Sequence, residues 1–424
     1  MPIKPLHDSR RSFLKQLAGG IALLPVAAPL AGSAAGAPPR LQRDVSWDAV
    51  RAQFPFRESM VPMNAGNLCP SPGRVTQRLT TLTREIEVDV SHGHRDGFHD
   101  LLEASRTKVA DHLHADPDEV ALVRNTTEAN AAIIAGLPLA AGDEVVLWDQ
   151  NHPTNNVAWD VQAARADLRV TRVSTPPQVQ SREQLVDVFA EAIGPRTRVL
   201  AITHVSNTSG LLLPIKAICE MARRRDVFVH VDGAQSWGAL RIDLRDLGCD
   251  SFSASCHKWL CGPKEAGVLY LRREHIERVW AHTVGFGWGT RVDPVPAGAR
   301  KFEALGQRDD ARLAVVADAI DFHRDLGGAR IELRVAELAQ ALKRGLREAG
   351  VPVVTPDDAT LSAGVVLVEV PEARRRDVVT ALERDHGIAG SRAGGLRLCP
   401  HVYNTMEHVE RAVEGVRALG DRLA

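Results

Sequence analysis

A charge excess of either sign is missing from this chain: 52 Lys and Arg stand against 53 Asp and Glu, a net charge of −1 over 424 residues. That balance removes the electrostatic case for nucleic acid or an anionic surface as a partner. A cysteine framework is missing too. Cys69, Cys219, Cys249, Cys256, Cys261 and Cys399 fall at irregular intervals, which excludes a disulfide-stapled scaffold. Cys256 and Cys261 are spaced unlike zinc ligands, and no metal site is expected. All six read as buried free thiols. No internal repeat or low-complexity tract follows residue 40, so neither a solenoid nor a disordered linker is indicated.

What is present begins with an export leader. Ser9-Arg10-Arg11-Ser12-Phe13-Leu14-Lys15 fits a twin-arginine signal. An apolar stretch from Leu17 to Leu30 and small residues from Ala31 to Ala37 complete the layout of a cleaved peptide. The apolar stretch is interrupted by Pro25 and Pro29 and is too short to span a bilayer comfortably. Residues 1–37 are therefore expected to be removed, with the twin-arginine translocase as a partner and the periplasm as destination. That route carries proteins that are already folded.

The remaining length of about 385 residues exceeds one hydrophobic core, so two lobes are expected. Strand-like runs at 120–123, 144–148, 198–205, 227–232, 251–255 and 268–271 alternate with helical patterns such as 127–135, 184–193 and 214–224. This alternation is the mark of an α/β fold with a mostly parallel, helix-covered sheet. Later come helices over 312–326 and 331–349, a strand over 364–369, a helix over 372–385, a strand over 395–399 and a last helix from Thr405.

The chemistry is concentrated in Val227-Phe-Val-His-Val-Asp232-Gly-Ala-Gln235 and the following Ser253-Ala-Ser255-Cys-His257-Lys258. An acid ending a β-branched run, then a lysine behind Ser and His, is what pyridoxal 5′-phosphate (PLP) requires. Asp232 can pair with a protonated ring nitrogen, and Lys258 can form the Schiff base to the aldehyde. Upstream, Arg124-Asn-Thr126-Thr127 follows a strand and opens a helix, whose orphan N–H groups and dipole favour a phosphate.

With these motifs in order, the chain resembles the class V aminotransferase family of fold-type I PLP enzymes from about Asn64 onward. Its likeness is to the isopenicillin N epimerase-like branch and to an exported enzyme of pyoverdine maturation. The resemblance implies a large seven-stranded-type PLP domain over 75–310. A smaller α+β domain is implied from 38–74 together with 311–424. It places Thr126, Thr127, Ser255 and His257 around the phosphate and His152 on the pyridine face as stacking group and proton relay. Asn207 and Gln235 are set near the phenolic oxygen, and Lys258 is the Schiff-base lysine and base. Arg397, in Leu396-Arg-Leu-Cys-Pro400-His-Val-Tyr403-Asn404, is expected to grip a substrate carboxylate, with Arg392 as the rival. Asn64 and Gly66 are expected to line the substrate side.

Two departures from the family pattern stand out. Gln307 occupies a place where relatives often carry a threonine that reaches the partner subunit's phosphate; Gln307 can still donate a hydrogen bond there, so it is expected to bind the cofactor across a homodimer. The loop cysteine of a desulfurase has no counterpart in Arg392-Ala-Gly-Gly-Leu-Arg397. The expected activity is that of a PLP enzyme on an amino-acid or amine group, aminotransferase- or epimerase-like, with a small amino-acid or peptide-derived substrate such as a siderophore. The competing readings are lyase or desulfurase-type chemistry and a non-catalytic scaffold on the same fold.

Overall fold

The computed structural model describes residues 45–285, 288 and 295–423. The described residues belong to one compact unit within residues 40–424. The export signal expected over 1–37 lies outside the described residues.

Eleven strands are described: β1 (Val61–Pro62), β2 (Val120–Val123), β3 (Glu144–Trp148), β4 (Arg169–Val173), β5 (Thr197–Thr203), β6 (Phe228–Asp232), β7 (Ser251–Ser255), β8 (Gly267–Leu271), β9 (Val366–Val368), β10 (Ile388–Ala389) and β11 (Leu396–Leu398). Strands β2 to β8 make one seven-stranded sheet in the order β2-β8-β7-β6-β5-β3-β4. Only β8 runs against the rest, since β7 and β2 both pair with it antiparallel while the other pairings are parallel. The fold is the α/β architecture that the sequence implied.

Alternating side chains build two cores, one on each face of the sheet. Leu122, Val146, Leu200, Val229, Phe252 and Val268 enter one. Ala121, Val145, Val199, Phe228 and Leu269 enter the other. A further core gathers Leu338, Leu342, Val366, Leu382, Leu398 and Val409. The segment before the sheet is tied to the last strands by β1 pairing with β10 and by a bridge from Asn64 to Cys399. The helix expected over 312–326 is interrupted, running as Asp310–Ala314 and then Val316–Leu326.

The direction of the sheet decides where chemistry can occur. In open α/β sheets ligands bind beyond the carboxyl ends of the strands. Here β2, β3, β5, β6 and β7 all deliver their carboxyl ends to the same edge.

Candidate active site

Each of those five strands ends in a turn that presents a polar group. Beyond β2, Asn125 caps helix α1 (Thr126–Gly136), its side chain accepting from Glu128 N. This leaves the Thr126 and Thr127 end of the helix for an anion. Ser255, the last residue of β7, accepts from Thr126 N at 2.8 Å and pairs with Thr126 Oγ1 at 2.6 Å. Beyond β3, His152 caps helix α2 (Pro153–Ala166). Its Nδ1 accepts from Thr154 N at 3.2 Å and is 2.8 Å from Thr154 Oγ1. An Nδ1 that accepts from a backbone N–H places the proton of the neutral ring on Nε2.

Asp232, at the end of β6, is buried. Its Oδ1 accepts from Ala234 N and its Oδ2 from Asn130 Nδ2, both at 3.0 Å. Thr126, Thr127, His152, Asn207, Asp232, Gln235, Ser255, His257 and Lys258 all line one cavity of about 170 Å³. Asn125, Thr154, Thr203 and Ala234 complete its wall.

The electrostatics of this cavity follow from burial. Lys258 is pushed down to about 8, because desolvation penalises its ammonium more than Asp232 supports it. His257 is pushed down to about 4 by burial and by Lys258 and Lys264. His152 is lowered by burial, then by Lys258, against an opposing pull from Asp232. Both rings are neutral near pH 7.

Arg397 is buried on β11. Its guanidinium makes long contacts only: Asn207 O at 3.3 Å, Ser391 Oγ at 3.4 Å and Asn64 Oδ1 at 3.5 Å. Its Nε has no partner. Gly66 is held to its small size here, since a Cβ would come 2.8 Å from Gln235 Oε1 and 3.3 Å from Arg397 Cζ. Gln235 donates to Gly66 O at 2.8 Å and accepts from Trp259 Nε1 at 2.9 Å, so most of its amide serves this wall.

Two expected residues stand apart. Arg392 is exposed, in contrast to Arg397. Gln307 is exposed as well. It donates to Arg308 O and lines a separate cavity with Arg124, Arg308 and Arg312, so a single chain does not bring it to Lys258. Reasoning from sequence missed Asn130, Thr203 and Trp259. Asn130 carried a signal: a poor helix former inside a helix needs a local partner.

The six cysteines are free and buried. Cys69, Cys261 and His401 have atoms within 4.8 Å of one another. Both nitrogens of His401 are engaged, however, Nε2 with Trp259 O and Nδ1 with Val402 N.

The model of the family described as "Aminotransferase class-V" matches residues 69–418. This chain belongs to that family. It is 31% identical over 401 residues to isopenicillin N epimerase of Amycolatopsis lactamdurans, covering 88% of this chain and 98% of that protein. It is 33% identical over 347 residues to a probable cysteine desulfurase of Halalkalibacterium halodurans, covering 76% and 82%. Among solved structures, a C-DES variant with glycine covalently linked to its PLP cofactor superposes with a TM-score of 0.80 at 24% identity, covering 87% and 98%. The apo cysteine desulfurase of Thermococcus onnurineus NA1 gives 0.79 at 23%, covering 88% and 98%.

The cofactor of this class V chain is pyridoxal 5′-phosphate. The residues fit it. A helix N-terminus with Thr126, Thr127 and Ser255 suits a phosphate, Asp232 offers a carboxylate and Lys258 an amine. Thr203 Oγ1 and Asn207 Oδ1, buried and without partners in the cavity wall, are polar atoms that a bound group would satisfy.

Proposed function

We propose that this PLP-dependent enzyme moves the α-proton of an amino acid, free or within a peptide-derived metabolite, with an aminotransferase- or epimerase-like outcome. The observation that carries the reading is Arg397. It is a guanidinium only 4% exposed. Among the described residues no carboxylate pairs with it. A buried charge without a counter-ion is costly, and an incoming carboxylate removes that cost through two parallel hydrogen bonds.

PLP, when bound, supplies the electron sink that acidifies the α-proton. Lys258 would hold the cofactor covalently and, once released, serve as the base; burial already makes its neutral form accessible near pH 8. His152, neutral with its proton on Nε2, would cover the ring and pass a proton. Asp232 would meet the ring nitrogen, and Thr126, Thr127, Ser255 and His257 the phosphate. Desulfurase chemistry is disfavoured because it needs a mobile thiolate. Cys399, two residues after Arg397, is fully buried, and burial raises its pKa.

Holoenzyme in D₂O with a panel of amino acids and short peptides tests the reading through α-proton exchange. Arg397→Gln should lose about 10- to 150-fold in kcat/KM, mostly through KM. An Arg397→Gln enzyme as efficient as wild type, or no exchange with any substrate, would sink it.

Export and assembly belong to the same proposal: a PLP-loaded homodimer leaves through the twin-arginine route to act on its substrate, a siderophore being one candidate, in the periplasm. Arg10→Lys together with Arg11→Lys should strand a yellow dimer in the cytoplasm, scored by fractionation, absorbance and sedimentation. Undiminished periplasmic protein refutes the route, and a fully active monomer refutes the dimer.

A further inference from the structure

Beneath Asp232 runs a polar seam in an otherwise apolar interface between β6, β7 and α1. Ser251, Ser253 and Ser255 alternate along β7 and so share one face of the sheet. His230 and Asp232 share the same face of β6 by the same rule. His230, Asn130, Ser251 and Ser253 are each fully buried. None of the four lines the cavity.

Their hydrogen bonds have one possible direction. Asn130 Nδ2 donates to Asp232 Oδ2 at 3.0 Å. The opposite amide orientation would set oxygen against carboxylate. Asn130 Oδ1 therefore faces His230 Nε2 at 2.9 Å and accepts from Ser253 Oγ. An acceptor opposite Nε2 requires the Nε2–H tautomer, which leaves Nδ1 to accept from Ser251 Oγ at 2.7 Å. Every donor points along the chain Ser251, His230, Asn130, Asp232. Burial supports the neutral ring this needs, lowering His230 to about 4.

We propose that Asn130 and His230 are positioning residues for the cofactor ring, acting through Asp232. The relay, with Ala234 N on the other oxygen, fixes the rotation of the Asp232 carboxylate and so aims its free lone pairs at the ring nitrogen. A network satisfied at every atom is rigid, and a half-satisfied one is worse than an apolar core, so both members are needed. This rests on the reading of Asp232 as the partner of the ring nitrogen.

The test compares binding to apoenzyme of PLP and of its analogue with carbon in place of the ring nitrogen. His230→Leu and Asn130→Ala should weaken PLP about 5- to 150-fold, the range for losing a neutral or a charge-assisted hydrogen bond. The analogue, which has no nitrogen to meet Asp232, should be held almost as by wild type. His230→Gln, which restores an N–H toward Asn130, should recover most of the loss. Equal weakening of both compounds would show a packing role only and overturn the proposal, as would variants that bind PLP like wild type. Asp232→Asn is the separating control. If it fails to discriminate between the two compounds, the ring-nitrogen reading itself falls. If it discriminates while the relay variants do not, only the relay falls. Nitrogen NMR of histidine-labelled wild type needs no variant: a protonated Nδ1 on His230 at pH 7 would overturn the relay's direction.

Discussion

Lys258 shows how one residue acquires its role from its surroundings. In water its ammonium would persist to about pH 10.4. In this cavity burial outweighs the pull of Asp232, and Arg397 adds a further push in the same direction, so the amine is neutral above about pH 8. Only a neutral amine attacks an aldehyde. The rate at which apoenzyme captures PLP should therefore rise with pH and level off near 8, read by stopped-flow absorbance. An inflection near 10 would mean that the lysine is solvated. Lys258→Ala should abolish borohydride-fixed cofactor, and fixation to Lys264 instead would reassign the role. At this scale the sequence spoke clearly for Asp232 and Lys258. It left Arg397 and Arg392 as rivals, because both lie in one short stretch and only burial separates them. For Asn130 it held only the hint of a polar residue inside a helix, and for His230 none, because their roles depend on a helix and a strand a hundred residues apart meeting on one face of the sheet.

Among elements, the strands buried on both faces were the most legible: β2, β3 and β7 appear where their apolar or alternating runs predict them. The edge strand β4 went unread. Its Arg-Val-Thr-Arg-Val pattern leaves Arg169 and Arg172 exposed, and periodicity alone gives no reason to place it in a sheet. The serines of β7 were read as strand, but their common face acquires meaning only once α1 lies across them. The turn after β6 is an equally sharp constraint. A Cβ on Gly233 would lie 1.9 Å from Phe252 Cζ. Phe252 is fully buried and has no room to retreat. Gly233→Ala should then cost about 1–3 kcal/mol as an overpacking change. Because Gly233 lies between Asp232 and Ala234, PLP retention should fall as well. Thermal melts and dialysis of the holoenzyme check both, and an unchanged melting temperature with full retention would show that the turn can shift.

Over the whole molecule, the same burial that tunes the site sets a limit in acid. His204, His230 and His401 are each buried and each lowered to about 4, with desolvation the largest cause. His323, also in the interior, is pushed well below its ordinary value, with desolvation again the largest cause. A histidine that cannot accept its proton when folded contributes stability in full above the unfolded value of about 6.5. As pH falls, the unfolded chain gains protons that the native chain refuses, and the contribution is lost between about 6.5 and 4. Each group adds a slope of at most about 1.4 kcal/mol per pH unit in that window. Three or four acting together are comparable, within two units, with the whole stability of a typical domain, about 5–15 kcal/mol. Carboxylates titrate lower, so the onset identifies the cause. The melting temperature of the apoenzyme should hold steady from pH 8 to 6.5 and then fall steeply by pH 5. A flat profile down to pH 5, with collapse only near 4, would place the acid lability in the carboxylates and not in this set of neutral histidines.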